Sequence, residues 1–582
     1  MSAPPPADGT APEDATSARG ALPDDATPTD ATPAGTSAAQ RDAVGRHASI
    51  MAAGTAVSRV LGFVRGALLV YAIGVTGNAA DAFALGNKVP NILYLLIAGG
   101  VLNAVLVPAV VRAYRRPDGH EYVNRLLTFG TALLAALAAV LTLAAPVLVE
   151  LYSNFRPSVT ALAVLFAYWC LPQVLFYGIY TLVGQVLNAR GSFGPFMWAP
   201  VVNNVIAIAG LGAFLAVNGT YEQNGGGIDD PTAWTGAQVA LLAGTATLGV
   251  VAQALVLFVP LYRMGFRYRP RWGLRGMGLR TTGRVAGWTF AGLVVGQLGV
   301  LVVTRVATAV RDAGGDAAGL AGNAVYDYAF LIFMLPHSLV TVSLLTALFT
   351  GLSARAAADD DAGVRGDLSF GLRTVGIFTV FAASVIMVLA FPLVRVLQPG
   401  ASAQDVSAIV PVVVAMLVGL PAFGAWSMAQ RVFYAYEDAK SMVPIQVGMA
   451  LVVVAGALLS QAVLAPRYWV AGAGLSMSVS YLLGAVVALA LLRRRIGGVD
   501  GARVLRLHAR AVVAAGVAAA AGWAVVHAIG GLHDAGPARS LVVAAVVGVL
   551  MTGLYVGLLR LMRVSELTDL ARPLLRRIRR AA

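Results

Sequence analysis

The chain has 582 residues, of which 58% are hydrophobic and only 12% are charged. About a quarter of the residues of a soluble protein are charged, so this composition excludes an ordinary soluble domain. The net charge of +14 would suit nucleic acid, but the arginines lie in short loops between apolar segments, which is typical of the positive-inside effect in membrane proteins. We therefore expect no nucleic-acid partner. The single cysteine, Cys170, excludes an intrachain disulfide.

The first 46 residues differ from the rest of the chain. They are rich in alanine, proline, aspartate and threonine and show no apolar periodicity, which predicts a disordered tail. Neither a basic segment nor an early apolar core precedes Ile50, so we expect no cleaved signal peptide.

Fourteen segments that follow are long and apolar enough to cross a bilayer, which takes roughly 20 residues. Their approximate limits are 50–75, 82–113, 124–152, 159–188, 195–217, 235–262, 284–311, 323–353, 370–397, 405–436, 441–464, 468–492, 507–529 and 538–562. The sequence thus predicts an all-α polytopic membrane protein with fourteen transmembrane helices.

Arginine is distributed unequally between the loops. The loops after the even-numbered segments hold most of the basic residues, from six arginines between Arg263 and Arg280 to a single Lys440 after segment 10. The loops after the odd-numbered segments hold only Arg156, Arg311, Arg395, Arg467 and Arg539. Because positive loops stay in the cytoplasm, this alternation predicts a plasma-membrane protein with both termini cytoplasmic.

Part of the sequence occurs twice. Val57–Val60 (VSRV) recurs as Val303–Val306 (VTRV), 303 − 57 = 246 residues later, and Gln185–Ala189 recurs as Arg431–Ala435 at the same offset. This offset covers six segments, and an even number returns the chain to the same side, so the two lobes are predicted to be parallel repeats. We divide the chain into a cytoplasmic tail at 1–46, an N-lobe with a basic linker at 47–283, a C-lobe at 284–500, and a two-helix appendix with a basic tail at 501–582.

The repeated segments carry charges that are costly in a membrane. A charged side chain at mid-bilayer costs about 2.5–3.5 kcal/mol on insertion scales, so such residues normally face water or a partner. Arg59 and Arg65 in segment 1, with Arg305 in segment 7, indicate a cationic central cavity for an anion. The structural alternative is that Arg59 pairs with Asp81 and that Arg65 reaches the interface.

Several other features have two interpretations. Asp81 and Asp327 suit either substrate contact or a helix-start and ion-pair role. Pro90 and Pro336 occupy matching positions and predict kinks, either as bending points or as static features. The segment from Met264 to Arg284 suits an amphipathic interfacial helix or a plain linker.

The sequence shows no catalytic pattern. It contains no GxxxxGK[ST] phosphate-binding loop and no Cys/His cluster with metal-ligand spacing. We therefore expect a transporter and not an enzyme, with no cofactor and no metal.

Four segments carry a family resemblance. Ser58-Arg59-Val60-Leu61-Gly62-Phe63-Val64-Arg65 and Asp81-Ala82-Phe83, followed by Lys88-Val89-Pro90-Asn91, resemble the first two helices of the MurJ/MviN lipid II flippases. Leu187–Phe193 (LNARGSF) and the segment from Phe433 to Asp438 resemble the ends of that family's helices 4 and 10. The sequence around Tyr94 is similar to that of an actinobacterial branch of this family.

The resemblance implies a MOP-superfamily exporter fold that moves lipid II from the inner to the outer leaflet by alternating access. It implies that Arg59 and Arg65 meet the diphosphate and that the last two helices shape a groove for the polyprenyl tail. Other implied partners are membrane lipids and proteins of cell-wall synthesis or division. The chain departs from the family at Gly66, Tyr94, Leu95 and about Leu331, where many relatives carry charged residues.

These arguments give one set of expected site residues. The substrate-binding candidates are Arg59, Arg65, Asp81, Lys88, Asn91 and Arg305, and the secondary candidates are Ser58, Asn188, Arg190, Gln297 and Asp327. The alternative functions are export of another lipid-linked glycan or a drug by the same superfamily, and a non-transporting membrane scaffold for cell-wall synthesis.

Overall fold

A computed structural model of the chain describes residues 38–97, 119–273, 279–314, 319–533, 535–564 and 566. Over these residues the regular elements are helices, and no strand occurs among them. In chain order, with segments of one broken helix sharing a name, they are α1 (Ala38–Ile73), α2 (Asn78–Ile97), α3 (Gly119–Leu143 and Ala145–Tyr152), α4 (Pro157–Cys170 and Gln173–Ala189), α5 (Gly194–Asn218), α6 (Gly236–Arg263), α7 (Leu279–Gly314), α8 (Asn323–Ala357), α9 (Asp361–Val388 and Ala390–Leu397), α10 (Ala403–Leu417 and Leu420–Ala435), α11 (Met442–Val463), α12 (Trp469–Arg495), α13 (Gly501–Ile529) and α14 (Pro537–Leu561).

The helical class predicted from the sequence is confirmed. Within the described residues, twelve helices are long and apolar enough to cross a membrane, and thirteen if the two halves of α10, bent by 44°, form one span. The second predicted segment is described only as Asn78–Ile97, and its continuation to residue 113 lies outside the described residues. The count of fourteen spans therefore stays a prediction.

The structure corrects one expectation about the connecting segments and bears on one alternative that the sequence left open. The tail was expected to be disordered to residue 46, but α1 begins at Ala38, because Ala38–Arg46 is rich in residues of good helix propensity; residues 1–37 lie outside the description. The start of the basic linker is not an amphipathic helix over residues 266–273. It runs instead along α3, where the backbone N–H of Arg269 donates to Asn124 Oδ1 at 3.0 Å.

Proline and close backbone packing explain the breaks in the helices. Pro172 follows the first half of α4, and Pro336 precedes a π-helical stretch at His337–Thr341 in α8, since a proline ring removes a backbone donor and widens the local turn. In α10 the bend falls at Gly419, where a Cβ atom would lie 2.6 Å from the Cα of Ser478 on α12. The bend thus brings α10 and α12 into backbone contact.

The apolar side chains form separate cores for the N-lobe, the C-lobe and the appendix. In the N-lobe, Phe83, Phe166 and Phe214 are buried in one of two clusters, while in the C-lobe Phe333 and Phe433 anchor two others. A fifth cluster joins α13 and α14 to α9. The helices of each lobe therefore pack mainly on one another. The boundary between the lobes carries polar contacts together with some apolar ones, since Val70 and Val75 belong to the C-lobe cluster of Phe333.

Candidate functional site

Each lobe has its own cavity, and the two cavities are related by the repeat. The N-lobe cavity, about 300 Å3, is lined by α1, α2, α4, α5 and α6. The C-lobe cavity, about 400 Å3, is lined by α7, α8, α10, α11 and α12, with Lys88 reaching in from α2. Five helices of one lobe thus have their counterparts, six helices later, in the other.

The N-lobe cavity combines one cation with a wall of amides. Arg65 lines it beside Asn91 and Tyr177, and no hydrogen-bond or ion-pair partner of Arg65 occurs among the described residues. On α5, Asn203 also lines the cavity and donates to Gln253 Oε1 at 2.8 Å, while its own Oδ1 is buried without a described partner. A charged donor without an acceptor, in a cavity with spare polar atoms, is suited to an oxyanion.

The C-lobe cavity is largely apolar, and its one cation is already paired. Lys88 Nζ lies 2.6 Å from Asp327 Oδ1, donates to Asn323 Oδ1 at 3.0 Å, and sits 5.4 Å from the centre of the Tyr326 ring. Gln297, also expected at the site, lines this cavity and has a buried Oε1 without a described partner. The structure therefore brings Lys88, Asp327 and Gln297 together, apart from Arg65.

Asp81 has the ion-pair and capping role that the sequence left open. Its carboxylate is fully buried, accepts from Arg311 Nε at 3.0 Å and from the backbone N–H of Ala324 at 2.8 Å. It therefore joins α2 to α7 and to the first turn of α8. The alternative in which Asp81 pairs with Arg59 was wrong, because Arg311 occupies the carboxylate.

Arg59 lies at the boundary between the lobes. Its Nη1 donates to Ser338 Oγ at 2.8 Å, in the π-helical stretch of α8. This is a contact with a neutral hydroxyl, so the positive charge of Arg59 has no carboxylate opposite it among the described residues. The guanidinium remains available for an anion.

Arg305 is engaged away from both cavities. Its Nη1 donates to the backbone oxygens of Glu150 and Leu151, each at 3.0 Å, and its Nη2 donates to the side chain of Asn154. A cation at a helix C-terminus compensates the unsatisfied carbonyls of the last turn. The expectation that Arg305 joins Arg59 and Arg65 in one cavity is therefore not met in this structure.

The remaining candidates are dispersed. The Ser58 carbonyl accepts from Asn204 Nδ2 at 2.8 Å, which ties α1 to α5. Arg190 donates to the Met264 carbonyl at 3.0 Å and thereby anchors the basic linker. Asn188 has a buried Oδ1 without a described partner but lines neither lobe cavity.

The two lobes are joined at one end of the molecule, called here the closed end, which contains the α1–α2 loop (residues 74–77) and the starts of α2, α8 and α10. Besides the Asp81–Arg311 pair, the Thr76 hydroxyl donates to Asp405, and the Asn154 N–H donates to Thr308 Oγ1 at 2.9 Å. An N-lobe loop supports this end, since Asp229 Oδ1 accepts from the Ala79 N–H at 3.1 Å. Burial raises the pKa of Asp229 above its ordinary value, although this hydrogen bond opposes the shift.

Sequence reasoning missed several residues of these contacts. Ser338, Asn323 and Tyr177 were not among the candidates, although each contacts or lies beside a residue that was. The repeat offered one signal, since Asn323 is the counterpart of Asn78 at an offset of 323 − 78 = 245. Within the described residues no group of three His, Cys, Asp or Glu side chains could hold a metal ion.

The sequence is similar to known membrane proteins over most of its length. The family model described as "Lipid II flippase MurJ" matches residues 69–535. The lipid II flippase MurJ of Burkholderia cenocepacia is 27% identical over 455 residues, which cover 76% of this chain and 82% of that protein. The probable lipid II flippase MurJ of Haemophilus influenzae is 26% identical over 424 residues, or 69% and 77% of the two chains.

Solved structures agree on the fold. A lipid II flippase MurJ in an inward closed conformation matches with a TM-score of 0.65 at 16% identity, covering 88% of this chain and 99% of that one. An inward-facing multidrug resistance MATE family transporter of the MOP superfamily matches with a TM-score of 0.60, also at 16% identity, over 76% and 96%. The all-helical membrane fold expected from the sequence is thereby confirmed, and it is similar to the folds of these two transporters.

Proposed function

The chain belongs to the lipid II flippase MurJ family, and from this premise we propose that it moves lipid II, the polyprenyl-diphosphate-linked peptidoglycan precursor, from the inner to the outer leaflet by alternating access. It is a transporter and not an enzyme. The observation that carries the role of its residues is the position of Arg65, a cation on a polar cavity without a partner among the described residues. A diphosphate supplies the acceptor atoms that this guanidinium lacks.

Arg59 extends the proposed anion path toward the lobe boundary. It is six residues from Arg65 on α1, which places the two about 9 Å apart along the helix axis. Arg59 is held by one hydrogen bond to Ser338 of the other lobe. A doubly charged diphosphate would compete effectively with this neutral hydroxyl for the guanidinium. We assign the first contact with the diphosphate to this pair of arginines.

The closed end supports one side of an alternating cycle. We assign both termini to the cytoplasm of a plasma-membrane protein, on the arginine distribution of the loops. In that orientation the closed end faces outward, and the Asp81–Arg311 and Lys88–Asp327 pairs separate when the cavity opens to the outer leaflet. Membrane lipids, and proteins of cell-wall synthesis or division, are the further partners of this proposal.

The test is a leaflet-accessibility assay with purified protein in liposomes that contain lipid II. Wild type is expected to expose lipid II on the opposite leaflet, while Arg65→Ala loses this activity by about a hundredfold and Arg65→Lys keeps part of it, since a charged hydrogen bond contributes about 1.5–3 kcal/mol. Arg267→Ala, in the exposed linker, is the matched control and should resemble wild type.

Two results would speak against lipid II transport, and a third would speak only against the role of Arg65. Wild type that moves no lipid II but supports growth would favour a scaffold. Transport of other lipid-linked glycans or cationic drugs in preference to lipid II would favour another exporter of the superfamily. Full activity of Arg65→Ala would remove Arg65 from the anion path while leaving the flippase function itself in place.

A further inference from the structure

A polar cavity that is separate from both lobe cavities lies where α9 meets the loop between α12 and α13. Its volume is about 410 Å3. The residues that line it and carry the argument are Arg365, Ser369, Arg373, Gly498, Asp500 and Arg503. None of them belongs to the proposed transport path.

The backbone at this cavity is held in a sparsely populated conformation. Gly498 has φ of 150°, and a Cβ atom there would lie 3.5 Å from Arg365 Cδ in a conformation that L side chains rarely adopt. Asp500, a non-glycine residue, has φ of 51° and accepts from Ser369 Oγ at 2.7 Å. Such strain concentrates at ligand-binding positions because the surrounding structure must maintain it.

One wall of the cavity already binds a carboxylate. Arg373 is only 7% exposed and forms an ion pair with Glu566, which follows α14 and is itself 6% exposed. The guanidinium groups of Arg365 and Arg503 have no hydrogen-bond or ion-pair partner among the described residues, and the charge of Arg503 acts unfavourably on Arg373. Among the described residues named here, three arginines stand against the two carboxylates of Asp500 and Glu566, which leaves a net charge of 3 − 2 = +1.

The surroundings indicate what kind of anion fits. The cavity lies at the N-terminus of α13, where Asp500 provides no side-chain cap, so the helix end adds to the attraction for a negative group. Beyond it, α13 presents Leu505, 72% exposed, and Val512, 56% exposed, to the outside of the protein. A charged cavity at the end of a lipid-facing helix is suited to a headgroup phosphate whose acyl chains follow that helix.

We propose that this cavity binds the phosphate of an anionic phospholipid, with Arg365 and Arg503 contacting the phosphate. This site is separate from the proposed path of lipid II, because it lies between α9 of the C-lobe and α13 of the appendix and not in a lobe cavity. It ties α9 to α13 and thereby stabilises the packing of the appendix on the C-lobe. The proposal does not depend on which face of the membrane the cavity lies on.

The experiment titrates phospholipids into the full-length protein in detergent and follows bound lipid by native mass spectrometry, with thermal unfolding in parallel. Phosphatidylglycerol is expected to bind and to raise the unfolding midpoint more than phosphatidylcholine. The double variant Arg365→Gln/Arg503→Gln should lose this preference by about tenfold or more. The pair Arg267→Gln/Arg269→Gln, two exposed arginines of the linker, is the matched control and should keep it.

A second variant, expected to bind more tightly, tests the site even if the double variant misfolds. Asp500→Asn keeps a hydrogen-bond acceptor and tolerates a positive φ, but removes a negative charge, so phosphatidylglycerol should bind several-fold more tightly. Equal phosphatidylglycerol binding in wild type and the Arg365/Arg503 variant would overturn the site. Equal stabilisation by glycerol phosphate alone would overturn the assignment to a lipid. Neither outcome would bear on lipid II transport by the lobes.

Discussion

At the scale of single residues, the most consequential finding is how charges are divided between paired and unpaired states. Asp81 and Arg311 form a buried ion pair with an additional backbone donor, whereas Arg65 has no partner among the described residues. A buried pair contributes little net stability, but breaking it leaves an uncompensated charge. The Asp81–Arg311 pair therefore joins the lobes, and we propose that the unpaired Arg65 contacts the substrate.

This division predicts a strong effect at Asp81. Asp81→Asn should lower the free energy of unfolding by about 3–5 kcal/mol, because Arg311 remains buried without its counter-charge. Asp81→Asn/Arg311→Gln should recover part of the loss. Removing the exposed Glu121–Arg125 pair of α3 is the control and should cost less than about 1 kcal/mol. Denaturant unfolding in detergent measures all three, and equal losses at both pairs would contradict the argument.

A second prediction concerns Asp229 and pH. Burial raises the pKa of this carboxyl above its ordinary value of 3.8, so the folded protein disfavours the ionised form. The folded state then binds the proton more tightly than the unfolded state, and stability falls as pH rises from about 4 through the raised pKa. The Asp229→Asn variant has no ionisable group at this position, so its stability lacks this pH dependence.

The measurement is the unfolding midpoint of wild type minus that of Asp229→Asn, followed from about pH 7 to about pH 4. This difference should become more favourable to wild type as the pH falls. A constant difference, or one that moves in the opposite direction, would show that the buried carboxyl carries no desolvation penalty.

At the scale of helices, breaks and close approaches decide where the lobe boundary carries polar groups. The π-helical stretch after Pro336 places Ser338 opposite Arg59, and the bend of α10 at Gly419 lets α12 approach. Pro90 lies within a continuous described helix, Asn78–Ile97. The two prolines that the repeat places in register therefore have different local consequences.

The bend at Gly419 predicts a size limit. Gly419→Ala should destabilise the protein by about 1–3 kcal/mol, since its Cβ would lie 2.6 Å from the Cα of Ser478 and backbone must move. Gly351→Ala in α8, where nothing lies within 4 Å of the new Cβ, is the matched control. It should be neutral or stabilising by up to about 1 kcal/mol. Thermal unfolding of both variants checks the difference, and equal midpoints would exclude a tight α10–α12 contact.

At the scale of the whole molecule, the lobes have largely separate apolar cores and meet at the closed end through ion pairs and hydrogen bonds beside a few apolar contacts. Cores of this kind move as rigid bodies, while a boundary of ion pairs and hydrogen bonds can exchange partners with water or substrate. This is the arrangement that alternating access requires.

A cross-link across the closed end tests whether that boundary must open. In the Thr76→Cys/Asp405→Cys variant, cross-linking with a short bifunctional thiol reagent should reduce lipid II transport at least tenfold. When the reagent is cleavable, reduction of the cross-link should restore transport. Asn218→Cys/Gln238→Cys, within the N-lobe, is the control and should stay active when cross-linked. The native Cys170 is fully buried and should not react. Undiminished transport by the cross-linked Thr76/Asp405 variant would contradict opening at this end.

The sequence by itself determined the membrane class, the repeat and the family, because hydropathy, loop arginines and short motifs are local properties of the chain. It also placed Arg65 and Asn91 among the site residues, and both line the N-lobe cavity. Only the tertiary structure decided which charges are neutralised: Asp81 by Arg311, Lys88 by Asp327, and Arg305 by the end of α3. Each of these partners lies at least 150 positions away in the chain. Electrostatic neutralisation depends on distances of a few ångströms in space, and no pattern along a single sequence encodes them.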